Sequence, residues 1–243
     1  FGIIFSIGAV ANIGSTFYLK RQFEPPDSTI DEGDKKINLQ NKPFKKLRRF
    51  IIYDSLSELA FCISGPLMMI YWIRDLDFNY IEIAVLINVS QLVGLFSLRY
   101  WGRKIDQLGT YLTTRISSLF ICFFPIFWIF IYSSPDQLKL PFSILVASLA
   151  SLMFSGRSLA LDNRLYEHMD GKSMIRITSK RIFYRGLSTF FGGLLGGILT
   201  KIDMLNTPYT KYLYTSIQLV MVFSFIFRIV VWIKFLSNPK GDI

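Results

Sequence analysis

Asp54 and Glu58, in YDSLSEL, stand four residues apart in a stretch otherwise built from apolar and small residues. On a helix that spacing puts both carboxylates on one face. A charge near the middle of a bilayer costs on the order of 2.5–3.5 kcal/mol even on insertion scales, so an intramembrane carboxylate faces a cavity or a partner. Two such groups together form the kind of pair that takes up and releases a proton or a cation. The other reading is a helix mouth, with the carboxylates paired to Arg48 and Arg49. Further along, Asn88 and Gln91 are three apart, with amides that suit either a polar substrate or hydrogen bonds between helices. Arg157 and Asp162 are five apart, too far round a helix for an ideal pair, so each is expected to find its partner elsewhere or, for Arg157, to snorkel to the interface. Arg228 invites the same choice between snorkelling and contact with an anionic substrate or lipid.

Other chemistries have little to work with. Cys62 and Cys122 both fall in apolar runs and the only histidine is His168, so neither a disulfide framework nor a Cys/His metal site is expected. His168 sits in EHMD without a companion nucleophile, which reads as a solvated loop. No phosphate-binding loop of the G-x-x-x-x-G-K-S/T type occurs. The expectation is therefore a protein that is not an enzyme and takes no cofactor.

These polar residues need apolar elements to hold them. Of 243 residues 51% are hydrophobic and 16% aromatic, which places the chain in the membrane class. Seven runs approach the roughly 20 residues needed to cross about 30 Å of hydrocarbon: 1–19, 50–73, 80–98, 116–132, 140–161, 182–200 and 212–233. The first lacks a basic leader and a cleavage site and reads as a helix, and the start inside it leads us to expect sequence upstream. Residues 20–49, with adjacent prolines, an acidic middle and a basic end, read as a flexible linker. Gly65-Pro66 should kink the second span.

The net charge of +10 is a matter of topology. Segments 20–49, 99–115, 157–185 and the tail after 233 hold 9, 4, 7 and 2 Lys or Arg, 22 in all, whereas the intervening loops hold only Arg74, Lys139, Lys201 and Lys211. The basic side is cytoplasmic by the positive-inside rule, which puts the C-terminus inside and makes nucleic acid a poor partner. Lipid is the expected surroundings. In FFGGLLGGIL, Gly192, Gly193, Gly196 and Gly197 form two overlapping G-x-x-x-G pairs, the pattern of a close helix contact.

One polar island remains, RYWGRKIDQLG at 99–109, where Gly102, Arg103, Asp106 and Gly109 lie between two spans on the basic side. By itself it reads as a tight connection whose glycines supply unusual backbone angles. Its G-x-x-x-D-x-x-G spacing resembles the loop signature of the major facilitator superfamily (MFS), although Gln107, Thr110 and Tyr111 stand where that pattern carries basic residues. One helix, a charged linker and a six-helix block likewise resemble the sixth helix, central loop and C-terminal half of such a transporter. The resemblance implies an all-α integral membrane fold of seven transmembrane helices, in which the last six, 50–243, form one MFS-type six-helix half-bundle. Residues 1–19 would be the last helix of an N-terminal half and 20–49 the central cytoplasmic linker. It also implies a secondary active transporter, or a facilitator, of a small molecule in the cell membrane, with alternating access by rocking of two halves. Its partners would be the substrate, H+ if coupled, and the N-terminal half, and the loop around Asp106 would dock on that half as a gate. The competing class is a seven-helix receptor or sensor, against which stands the lack of a lysine within a span for a retinal Schiff base.

Overall fold

The computed structural model describes residues 42–167, 171–201 and 216–237, all within the unit Asn41–Ile243. The expected span at 1–19, most of the linker, His168 and the loop 202–215 lie outside the described residues. All regular structure among the described residues is helical: α1 Lys42–Ser64, α2 Leu67–Arg74, α3 Tyr80–Tyr132, α4 Asp136–Glu167, α5 Gly171–Lys201 and α6 Ser216–Leu236. Five helical segments are long and apolar enough to cross a membrane, with α1 and α2 joining as Arg48–Arg74.

Each boundary has a local cause. At Gly65-Pro66 the proline has no N–H to continue the ladder, and α1 gives way to α2 after Gly65 N bonds the Phe61 carbonyl at 2.9 Å. The start of α3 is a capping box: Asn79 Oδ1 accepts from the Ile81 and Glu82 amides, both at 2.9 Å, and Glu82 accepts from the Asn79 amide at 2.8 Å. The 53 residues of α3 would run roughly 80 Å as one rod, far beyond a bilayer core. They are two limbs, 80–108 and 110–132, broken at Gly109 with φ +80° and ψ +162°, a conformation L side chains rarely adopt. Ile83 and Leu86 of the first limb share a buried cluster with Phe124, Trp128 and Ile131 of the second, so the chain doubles back at that glycine.

Two expectations need correction. The linker does not stay irregular to residue 49: α1 begins at Lys42, because the Lys and Arg of this stretch favour helix and Pro43 falls in the first turn, where a missing N–H is tolerated. Nor is 99–109 a loop along its length. Gly102, Arg103 and Asp106 are helical, and the reversal is confined to Gly109.

Contacts fix the directions of the helices. Tyr53 meets Ser118 and Tyr71 meets the Trp128 carbonyl, so 110–132 runs parallel to α1 and α2. Arg228 reaches Ile121 and Trp232 reaches Arg115, so α6 runs antiparallel to that limb. Gly192 lies against Leu59 and Cys62, and Gly196 against Ile63, so α5 runs parallel to α1. Apolar residues gather in one cluster at each end of the bundle, one around Tyr71, Leu86 and Trp128, the other around Tyr53, Leu161 and Phe235. Charges lie between and beside them.

Candidate functional site

Asp54 is fully buried in α1, at 0% exposure, and neither Arg48 nor Arg49, both exposed, partners it. Instead Arg157 of α4 donates to its Oδ1 at 3.3 Å and Arg181 of α5 to its Oδ2 at 2.7 Å. Arg181 also donates to Asp162 at 2.7 Å, which resolves the awkward five-residue spacing: Arg157 and Asp162 each find their partner on another helix. One turn along, Glu58 accepts from Arg185 at 3.0 Å, while Arg185 stands 3.9 Å from Asp54. A buried carboxylate without partners would cost several kcal/mol, so the three helices are locked at this level. Snorkelling of Arg157 is corrected as well: it is 5% exposed, its guanidinium packed over the rings of Phe61 and Tyr53 at 5.0 and 5.8 Å.

The lock continues as close backbone contact. A Cβ on Gly196 would run into the Ile63 carbonyl oxygen, and one on Gly192 would stand 2.8 Å from the Leu59 carbonyl oxygen and the Cys62 Cβ. Removing those two side chains is what lets α5 lie on α1. The other pair does not share this role: beside Gly193 only Pro66 comes within 4 Å, at 3.9 Å, and Gly197 faces open space. Charge pairs and glycines thus zip the same two parallel helices, Asp54 and Glu58 opposite Arg181 and Arg185, then Leu59 to Ile63 opposite Gly192 and Gly196.

Arg228 does not snorkel either. It is buried in α6 at 9% exposure, donating to the Ile121 carbonyl at 3.2 Å and to Ser64 Oγ at 3.1 Å. Ser64 in turn donates to Ser224 at 3.1 Å, and Ser224 to the Ala60 carbonyl at 2.7 Å. The Arg228 guanidinium lies 4.6 Å from the Phe61 ring centre, so this ring has an arginine against it from α4 and another from α6. Beside them is a cavity of about 10 Å³, roughly room for one water, lined among others by Tyr53, Phe61, Ser118, Arg157 and Arg228.

Asn88 and Gln91 stay apart from this cluster. Both are exposed on the outside of the bundle, and Asn88 turns its amide back to the Ala84 carbonyl of its own helix at 2.7 Å. Asp106 is exposed too. Spacing alone does not single out Arg181 and Arg185, which read along the chain only as basic-side charges. A signal was present: they repeat the four-residue spacing of Asp54 and Glu58 with the opposite sign. Among the described residues no group of His, Cys, Asp and Glu could hold a metal ion. Compared with protein-family models, curated proteins and solved structures, the chain matches none of them.

Proposed function

We propose that the chain is a helical half of a secondary transporter of the major facilitator type, working with a second half by alternating access in the cell membrane. The observation that carries this reading is the buried ion-pair cluster of Asp54, Arg157 and Arg181, joining three helices inside the bundle. Ionised groups at membrane depth are costly and mark substrate or ion pathways more often than they add stability. The alternation of helix directions and the MFS-like spacing around Asp106 support the same reading, with residues 1–19 as a seventh helix belonging to the other half.

The carboxylates divide the work. Asp54, with 0% of its side chain exposed and both oxygens occupied, holds α4 and α5 on α1. Glu58, whose side chain is 19% exposed and which is paired to a 40% exposed Arg185, is the one the bundle leaves partly uncovered. Protonation of Glu58 removes the charge that holds Arg185 and loosens one rung between α1 and α5 while the Asp54 rung stays closed. That coupling suits a proton-driven carrier in which these two helices shift as the cytoplasmic side opens. The test is transport by the intact protein in vesicles, screened over small solutes with and without an imposed proton gradient. Glu58→Gln should abolish gradient-driven accumulation and leave substrate exchange. Accumulation that is unchanged at every pH would remove Glu58 from the mechanism, and absence of any solute flux would defeat the transporter reading.

A further inference from the structure

Charge counting around the cluster leaves a remainder. Among the described residues, Arg157, Arg181, Arg185 and Arg228 supply four positive charges, against three negative ones from Asp54, Glu58 and Asp162, so 4 − 3 leaves +1. The three carboxylates are taken by the first three arginines. Arg228, buried like Arg157 and Arg181, is held by a carbonyl, a serine hydroxyl and an aromatic face, and none of its partners among the described residues is an anion. Carbonyl and ring contacts reduce the cost of burying a guanidinium but do not cancel its charge. Its Nε and that of Arg157 are both buried without a hydrogen-bond acceptor. Both arginines line one small cavity, where an acceptor would satisfy these donors.

From this geometry we infer that the cavity between Tyr53, Phe61, Ser118, Arg157 and Arg228 binds one monovalent anion of halide size. Donors for it are at hand. Tyr53 Oη and Ser118 Oγ lie 2.7 Å apart, so one hydroxyl proton is spent in the bond between them and the other is free to turn to the cavity. The volume, about that of one water, selects a single small ion over an organic acid. Its single negative charge matches the surplus of one. The anion lies between α1, the 110–132 limb, α4 and α6, and so adds an ionic link to the hydrogen bonds from Arg228 and Ser224 that already tie α6 to α1. The inference stands on the charge and geometry of the cavity and does not need the transport reading.

The experiment is thermal unfolding of the intact purified protein at constant ionic strength, with sodium chloride or bromide replacing sodium gluconate, followed by bromide anomalous scattering from crystals. Halide should raise Tm along a saturating curve, as a ligand that binds only the folded state does. Bromide density should appear beside Arg228. Arg228→Met should lose the halide response, and Tyr53→Phe or Ser118→Ala, whichever removes the hydroxyl that turns to the cavity, should weaken the apparent halide affinity about tenfold, as losing a hydrogen bond to a charged group does. If Arg228→Met does not fold, the Tyr53→Phe and Ser118→Ala titrations decide together. A wild-type Tm equally indifferent to halide and gluconate, a response unchanged in both Tyr53→Phe and Ser118→Ala, or stabilisation by organic anions alone would overturn the assignment. Halide binding without solute transport would leave the site standing and defeat the transporter; transport without a halide response would do the reverse.

Discussion

Asp54 and Glu58 look alike in sequence and differ in what surrounds them. Asp54 meets two buried guanidiniums, so Asp54→Asn leaves Arg157 and Arg181 without their counter-charge in an apolar bundle. The expected loss is about 3–5 kcal/mol of stability, the usual result of breaking a buried pair on one side. Denaturant or thermal unfolding in detergent would measure it, and a loss below about 1 kcal/mol would show that water reaches the cluster. Glu58→Gln, at the partly exposed rung, should cost no more than about 1 kcal/mol in the same assay. Their spacing was legible, as was the need for a partner. Which arginines answered was not, because Arg181 and Arg185 lie more than 120 residues away and their helix has to fold against α1 before the pairing exists.

At the level of the helix, glycines of one motif separate by the surface they meet. Gly196→Ala would push a methyl group into the Ile63 carbonyl and should destabilise by about 1–3 kcal/mol, the range for overpacking, whereas Gly197→Ala has open space and should be neutral or slightly stabilising. Equal effects from the two would mean that α5 does not seat on α1 by this face. The same contrast applies to the hairpin: Gly109→Ala forces an L side chain into φ +80° at about 1–3 kcal/mol, and Gly102→Ala, in regular helix with nothing nearby, should cost nothing. Unfolding midpoints of the four variants check both pairs. Periodicity exposed the G-x-x-x-G pattern but not its phase, since which of two overlapping pairs faces a neighbour depends on the rotation of α5 about its axis. The polar island at 99–109 misled for a related reason. Arg and Lys prolong a helix past the membrane as readily as they fill a loop, and only the backbone angles at Gly109 reveal where the chain turns.

For the molecule as a whole, the alternating helices put Asp77, before α3, at one end and Asp106, just before the reversal, at the other. By the positive-inside rule the Asp106 end is expected to be the cytoplasmic one. Both residues are exposed. In intact cells a membrane-impermeant thiol reagent should therefore label Asp77→Cys and reach Asp106→Cys only after permeabilisation, with Cys62 and Cys122 replaced by serine or alanine as background. Labelling in the opposite sense would invert the topology and place the charge cluster on the outer side.

Apolar runs, their length and the bias of basic residues already dictate a membrane-embedded helical protein, because helix length and hydrophobicity are local properties that bilayer thickness converts directly into spans. Six of the seven expected runs fall wholly or largely in described helices, with ends extended by charged residues that no apolar window includes. Partnership belongs to the tertiary structure. Three helices had to converge before Asp54 could acquire two arginines, and a fourth, α6, had to pack beside them before Arg228 could stand against Phe61 without a carboxylate. Pairing and its failure are both set by distances across the bundle, and no spacing along the chain records them.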